Sequence, residues 1–283
     1  MSKIKEQVEL LKRKEFVCKE ILDFYEKVVE EQEGIKASIN IKPLPIREDV
    51  KKLHINEGFP LISKEEFSLD IPCSIRLFEK LCKIGKNATA KMNKNILIIE
   101  DAVKNKSLSP DEFLSKFYDD VFLDKATEDL EIDSAIFKFL IHMSIRPSIT
   151  ANIEKLKDQV SIKGWFRGYC PICGSLPQIS ALKGEGQRYL ICSFCGFEWQ
   201  SERLKCPFCE NKDHETLHYF YEDGQEVYRI DACNKCNKYI KTINSGKLAY
   251  EPDLNLEDIA TFYLDIIALD KGFKKHGSQP WGF

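Results

Sequence analysis

Residues 170–236 read CPICGSLPQISALKGEGQRYLICSFCGFEWQSERLKCPFCENKDHETLHYFYEDGQEVYRIDACNKC. Eight of the eleven cysteines of the chain fall in this stretch, as four CxxC pairs. The pairs are Cys170-Pro171-Ile172-Cys173, Cys192-Ser193-Phe194-Cys195, Cys206-Pro207-Phe208-Cys209 and Cys233-Asn234-Lys235-Cys236. Two residues between the thiols let one tight turn offer both sulfurs to the same ion, so four such pairs indicate two metal sites.

The spacing of the pairs predicts which of them share an ion. Spacers of 18 and 23 residues follow the first and third pairs, long enough for a hairpin, whereas 10 residues separate the second pair from the third. We therefore predict two sets, although the spacing leaves an interleaved pairing open. Site 1 comprises Cys170, Cys173, Cys192 and Cys195, and site 2 comprises Cys206, Cys209, Cys233 and Cys236. Four thiolates suit either Zn(II) or a rubredoxin-type iron, and the ligands do not choose between them.

The residue after each second cysteine commonly needs a positive φ. Gly174 and Gly196 adopt this conformation freely and Asn237 tolerates it, whereas Glu210 fits poorly. A redox-active dithiol is the alternative for a CxxC pair, but it would stand at a helix start in a βαβ unit, and no such unit is recognisable. Closed four-thiolate sites are more often structural than catalytic, which favours a structural role for each ion.

Charge argues against nucleic acid as the partner. The chain carries a net charge of −3 and has a pI of about 6.1. Residues 166–250 hold 11 basic and 10 acidic side chains, to which two divalent ions on eight thiolates would add about four negative charges. Nucleic-acid binding relies on a basic surface. We interpret Lys235, Lys238 and Lys241 as the solvated face of a strand.

The sequence also predicts where the protein resides. Met1–Lys14 is charged throughout, unlike a signal peptide, and no window approaches the roughly 20 apolar residues of a membrane span. We therefore predict a cytoplasmic protein, whose reducing surroundings favour metal binding over disulfides. A Walker A loop, a GxGxxG loop and an HExxH motif are all missing from the sequence, so a non-enzyme is predicted.

Periodicity predicts helices before residue 165 and strands after it. Helical spacing extends over 4–33 with a stop at Gly34, over 74–106 as one long helix, and over 129–145, where Pro147 ends that helix or begins the next. Residues 40–63 are predicted to be irregular, and Ser109 to start a helix. Strands are predicted over 178–182, 188–191 and 226–230, with turns at Gly184, Gly186 and Asp223-Gly224. An amphipathic helix is predicted over 256–271.

The predicted fold class is α+β, in four segments. Residues 1–165 form an all-α helical domain, 166–203 the first four-cysteine metal ribbon, 204–250 the second, and 251–283 a C-terminal helix and tail. The two ribbons are expected to be tandem modules of the rubredoxin-like or zinc-ribbon type. For partner binding we select Trp199, Arg203 and Tyr239, since protein interfaces favour Trp, Tyr and Arg.

Four runs of sequence resemble the FdhE family of formate dehydrogenase accessory proteins. They are WFRGYCPICGSLP at 165–177, RYLICSFCGFEW at 188–199, RLKCPFC at 203–209 and CNKCNKYIK at 233–241. Weaker similarity extends to GFPLI at 58–62, to Arg146-Pro147 and to parts of 257–273, so that the resemblance covers about residues 55–275. Ile191 stands where the family leads us to expect a histidine.

The resemblance implies a fold, a metal and a function. It implies a helical domain followed by rubredoxin-like metal modules, with iron as the metal usually suggested. It also implies a cytoplasmic, non-enzymatic maturation factor that binds the molybdopterin-containing catalytic subunit of formate dehydrogenase. Two other classes stay open on the residues alone: a metal-ribbon protein of transcription or translation, and a rubredoxin-like electron-transfer or dithiol redox protein.

Overall fold

A computed structural model describes residues 3–44, 46, 48–159, 162, 164–222 and 224–277. By compactness the chain has two units. The described residues of 1–22, 46–63 and 158–277 form the first unit, and those of 23–45 and 64–157 form the second. Each compact unit combines residues from separate parts of the chain, so the units do not test the four segments predicted from the sequence. Those segments stay a prediction. The predicted tail beyond residue 277 and the predicted turn residue Asp223 lie outside the described residues.

The described residues up to 159 are mainly helical, as the sequence predicts. The helices in this part are α1 (Lys3–Leu11), α2 (Lys19–Lys36), α3 (Glu48–Glu57), α4 (Ile71–Gly85), α5 (Ala90–Lys104), α6 (Pro110–Ser115), α7 (Asp120–Asp129) and α8 (Ser134–Leu156). In the second unit the apolar faces of α4, α6 and α8 meet around Phe113, whose ring lies 5.0 Å from that of Phe78 and 5.2 Å from that of Phe137. All three rings are buried and form the centre of that unit.

Several helix boundaries differ from the prediction for local reasons. The expected helix over 74–106 is two helices, because Thr89 is an N-cap whose side chain accepts the Met92 N–H and starts α5 anew. Gly34 lies inside α2 and does not end it. The segment predicted to be irregular contains α3. Ser109 precedes α6, as predicted, with Pro110 in its first turn.

Pro147 lies inside α8, where the sequence predicted a boundary at which one helix ends or the next begins. A proline in a helix leaves the carbonyl four residues earlier without its N–H donor. That carbonyl belongs to Met143, and it accepts a 2.7 Å hydrogen bond from the side-chain amide of Gln32. The orphaned acceptor is thereby satisfied, which explains how the helix continues past the proline.

The first unit contains one six-stranded sheet in the order β3-β2-β1-β6-β5-β4. Its strands are β1 (Pro177–Lys183), β2 (Gln187–Cys192), β3 (Glu198–Ser201), β4 (Leu217–Phe220), β5 (Tyr228–Cys233) and β6 (Lys238–Asn244). Strands β1–β3 form one antiparallel ribbon and β4–β6 another. The two ribbons join through parallel pairing of β1 with β6, where Ile179 lies opposite Lys241. The α+β class with two ribbons is confirmed, and the tandem ribbons share a single sheet.

One face of the sheet carries the apolar core of the first unit. Ile179, Ile230 and Ile243 lie in this core with Leu264 and Ala268. The last two residues come from α10 (Phe262–Asp270), which follows α9 (Leu254–Ala260), so the predicted final helix is two helices separated at Thr261. The N-terminal helix α1 also belongs to this unit: the side-chain amide of Gln7 donates to Glu257 on α9 over 3.0 Å.

A buried ion network ties β6 to the C-terminal helices. Lys241 is fully buried on β6, and its ammonium lies 2.7 Å from an Asp258 oxygen and 2.8 Å from an Asp265 oxygen. Lys275 lies 3.0 Å from Asp265, and the Tyr239 hydroxyl donates to Asp265 over 2.7 Å. The interpretation of Lys241 as part of a solvated strand face is therefore wrong. Residues 238 and 241 lie on opposite faces of a strand, because side chains alternate.

In the part of the chain that the structure describes, no helix combines the length and the apolarity that a membrane span requires.

Candidate metal centres

The first four-cysteine cluster is compact and buried. The Cys170 and Cys195 sulfurs are 3.6 Å apart, those of Cys173 and Cys192 3.4 Å, and those of Cys173 and Cys195 3.7 Å. Four sulfurs at about 2.3 Å from a tetrahedral ion would be separated by about 3.8 Å, whereas a disulfide needs about 2.05 Å. The thiols are free, and their spacing fits a tetrahedral ion.

The second cluster has the same arrangement but is less enclosed. The sulfurs of Cys206 and Cys236 are 3.7 Å apart, as are those of Cys209 and Cys233. All four ligand atoms lie within 4.8 Å of one another. Cys209 and Cys236 are partly exposed, whereas all four cysteines of the first cluster are buried. The structure thus brings the eight cysteines together in the two successive sets, without interleaving.

The knuckle turns follow from local sequence. In the first turn the Cys170 N–H donates to the Ser175 carbonyl over 2.8 Å, and the Gly174 N–H donates to the Cys170 carbonyl over 2.9 Å. The turns at Cys192 and Cys206 have the same pair of bonds. The residue after each second cysteine is left-handed, with φ of +74° at Gly174, +72° at Gly196, +58° at Glu210 and +54° at Asn237. Each pair of thiols is therefore presented by a preformed turn.

Glu210 has a left-handed backbone because its side chain is held in place. Its carboxylate accepts the Gly168 N–H over 3.1 Å and lies 3.2 Å from the Lys205 ammonium. Desolvation alone would raise the pKa of Glu210, but these two partners outweigh it and the pKa is lowered. A Cβ on Gly168 would meet the Pro207 carbonyl oxygen at 1.9 Å, so only glycine allows this approach. The segment before the first cluster is thus fastened to the third knuckle.

Residues 58–62 support the first knuckle, a role that cysteine spacing could not reveal. The Leu61 and Ile62 N–H groups donate to the carbonyls of Pro171 and Ile172 over 3.0 and 2.9 Å. The Tyr169 hydroxyl donates to the Gly58 carbonyl over 2.6 Å. The only sequence signal for this contact was the weak similarity of GFPLI to the family.

The thiols of each cluster differ in acidity. Hydrogen bonds from the other three thiols of the first cluster, that of Cys170 foremost, lower the pKa of Cys173, whereas burial raises the pKa of Cys170 and of Cys195 well above the usual value. In the second cluster the pKa of Cys233 is lowered. Desolvation alone would raise it, but hydrogen bonds from backbone N–H groups and from the Asn211 amide outweigh desolvation. A thiolate is the form that binds metal, and a cation supplies the charge needed to ionise the remaining thiols.

The three residues selected for partner binding differ in exposure. Trp199 is 1% exposed and its indole N–H donates to the Arg167 carbonyl, and Tyr239 is 2% exposed in the buried ion network. Neither ring is presented on the surface of its unit, because both pack inside it. Arg203 is exposed. A role for these residues in partner binding stays a prediction.

We expect the second cluster to lose its ion to a chelator faster than the first. Partial exposure of Cys209 and Cys236 gives a competing ligand access without prior opening of the fold. Metal release into a coloured chelator should follow two phases of equal amplitude. The double variant Cys170→Ser/Cys173→Ser should keep the fast phase alone, and a slow phase surviving in that variant would contradict the assignment.

A single sheet that carries two four-cysteine clusters on paired ribbons defines a class of cysteine-ribbon proteins. Within it, the family described as "FdhE, central domain" matches residues 169–203, and "FdhE, C-terminal domain" matches 204–281. The "Protein FdhE homolog" of Aquifex aeolicus is 28% identical over 95% of this chain and 90% of its own length. That of Haemophilus influenzae is 34% identical over 41% of this chain and 38% of its own.

A solved structure has the same fold. The crystal structure of the FdhE protein from Pseudomonas aeruginosa matches 99% of this chain and 95% of that chain, with a TM-score of 0.68 and 20% identity. This chain is therefore similar to FdhE proteins in sequence over residues 169–281, and it has the fold of one of them. These similarities agree with the resemblance to the FdhE family seen in the sequence.

Proposed function

We propose that the chain is a cytoplasmic, non-enzymatic maturation factor that binds the catalytic subunit of formate dehydrogenase. The observation that carries the proposal is the pair of four-cysteine clusters in a chain whose residues 169–281 match the FdhE domains. Each cluster offers four thiols at tetrahedral spacing and leaves no ligand position for a substrate, as in sites that stabilise a fold. A binding role, in which the ions hold a surface in shape, agrees with that chemistry.

In this proposal each cluster holds one iron or zinc ion. Cys170, Cys173, Cys192 and Cys195 would hold the first ion, and Cys206, Cys209, Cys233 and Cys236 the second. An ion bound in this way supplies charge compensation for the thiolates and a crosslink between two knuckles. The donor set accepts either metal, since tetrahedral sulfur suits both. Zinc would leave the protein colourless, and iron would give it a red colour.

We expect the catalytic subunit of formate dehydrogenase to co-purify with the tagged chain from cells that produce the enzyme. The same sample should contain close to two equivalents of iron or zinc by elemental analysis. Cells that carry the tag alone provide the control for nonspecific capture. Repeated failure to find the catalytic subunit with a fully metallated chain would refute the proposed function.

A further inference from the structure

A small groove opens beside the second cluster on the sheet face opposite the apolar core. It lies between the segment 203–208 and the strands β4 and β5, and encloses about 70 Å³. Leu204, Phe208, Leu217 and Tyr219 supply much of its apolar lining. A volume of this size has room for one side chain and is too small for a folded domain. Strand β4 ends the sheet, so the groove borders a strand edge.

The rim of the groove exposes two large apolar side chains. Leu204 is 70% exposed and Tyr219 is 64% exposed. The Tyr219 ring is held in place by Arg229, whose guanidinium lies 5.0 Å from the ring centre. Adjacent exposed apolar residues around a concave site are typical of a surface that receives a partner.

Cations outnumber carboxylates around the groove. Five basic side chains and one acid, Asp231, line it. Arg188 and Arg229 share Asp231, at 3.6 and 2.9 Å, and Lys205 pairs with Glu210. In the described part of the chain, neither Arg203 nor Lys238 has a carboxylate partner.

The second cluster accounts for only part of this positive charge. Four thiolates on a divalent ion carry a formal charge of about −2. Arg188 is 2% exposed and its charge faces Asp231 and the Cys206 sulfur, so it is not presented to a partner. Five cations against Asp231, Glu210 and the cluster leave a net charge of about +1. Arg203, on the exposed rim, and Lys238, over the Phe208 ring at 5.6 Å, present this charge to a negative group from outside.

We propose that this groove docks an extended segment of a partner polypeptide. An apolar side chain of that segment fills the space between Leu204 and Tyr219, and a neighbouring carboxylate binds Arg203 and Lys238. An extended segment matches a floor of two strands bordered by the free edge of β4. The inference rests on the proposed function, because it places part of the catalytic subunit in the groove.

The first test uses a short blocked fluorescent peptide that alternates glutamate with leucine. We expect the metallated chain to bind it, and Leu204→Ser, Tyr219→Ser and Arg203→Glu each to weaken binding by about tenfold or more. Val121→Ser, which also alters an exposed apolar residue, should bind like the wild type. A peptide with lysine in place of glutamate should bind weakly. Equal binding of both peptides, or of the groove variants and the wild type, would overturn the proposal.

The second test uses the purified catalytic subunit and separates the groove from the function. We expect the wild-type chain and Val121→Ser to retain the subunit, and Leu204→Ser and Arg203→Glu to lose at least about nine-tenths of it. Retention by all four chains would reject the groove and leave the proposed function intact. Retention by none, with peptide binding as expected, would reject the proposed function and keep the groove as a site for acidic, apolar segments.

Discussion

Replacing Cys170 and Cys173 with serine is expected to remove close to one metal equivalent and to unfold the first ribbon. Metal binding supplies about 10–16 kcal/mol to small four-ligand zinc peptides, far more than the thin apolar core of a three-stranded ribbon can replace. Elemental analysis measures the lost ion. Backbone hydrogen exchange locates the unfolding, which should begin in β1 and β2.

Because the two ribbons share one sheet, we expect the unfolding of the first ribbon to weaken the strand that it pairs with in the second. Strand β6 pairs with β1 on one side over 241–244 and with β5 on the other. Faster exchange should therefore reach the β1 side of β6, while β4 and β5 stay protected by the second ion. Cys18→Ser, which alters an exposed cysteine outside both clusters, should retain two ions. Partial loss from both sites in the double variant would show that the ligands do not divide as the structure has them.

The cysteine sets could be predicted because the relevant signal is local. Two thiols and the left-handed residue after them lie within five positions, and hairpin-length spacers identify the partner knuckle. Glu210 broke the local pattern, and its explanation lies 42 residues away at Gly168. The two ribbons join through parallel pairing of β1 with β6, which lie about 60 residues apart in the chain. The pattern of apolar residues in either strand does not specify the other strand as its neighbour.

The predicted helix boundaries were wrong for a related reason. Apolar spacing continues from α4 into α5 and through Pro147. This spacing shows which residues face a core, but it does not show where the backbone hydrogen bonds of a helix stop. The N-cap Thr89 starts a new helix, α5, within the predicted helix over 74–106. The side-chain amide of the distant Gln32 allows α8 to continue past Pro147. Burial of Lys241 was equally hidden, since a lysine is almost never fully buried unless it is paired, and its partners lie on later helices.

Replacing Lys241 with methionine is expected to destabilise the first unit by about 3–5 kcal/mol at neutral pH, as removal of one member of a buried ion network does. Two buried carboxylates, those of Asp258 and Asp265, would then share Lys275 as their cation, with the Tyr239 hydroxyl still donating to Asp265. Thermal or denaturant unfolding measures the loss. Lys247→Met removes an exposed lysine paired with Glu226 and should leave the stability close to that of the wild type.

The pH dependence distinguishes an electrostatic cause from simple loss of packing. Desolvation alone would raise the pKa of Asp258, but Lys241 and Lys275 outweigh it and lower the pKa below its usual value. Asp258 therefore stabilises the wild type above about pH 4, the unfolded pKa, and this contribution disappears as the pH falls through the lowered folded pKa. In Lys241→Met the ionised Asp258 carboxylate destabilises the folded state at neutral pH, because one of its two cations is gone. Protonation of Asp258 removes this destabilisation. The stability difference between wild type and variant should thus be largest near pH 7. It should shrink as the pH falls from the raised pKa of Asp258 in the variant, above about 4, to the lowered pKa in the wild type, whereas a difference that is independent of pH would assign the loss to packing.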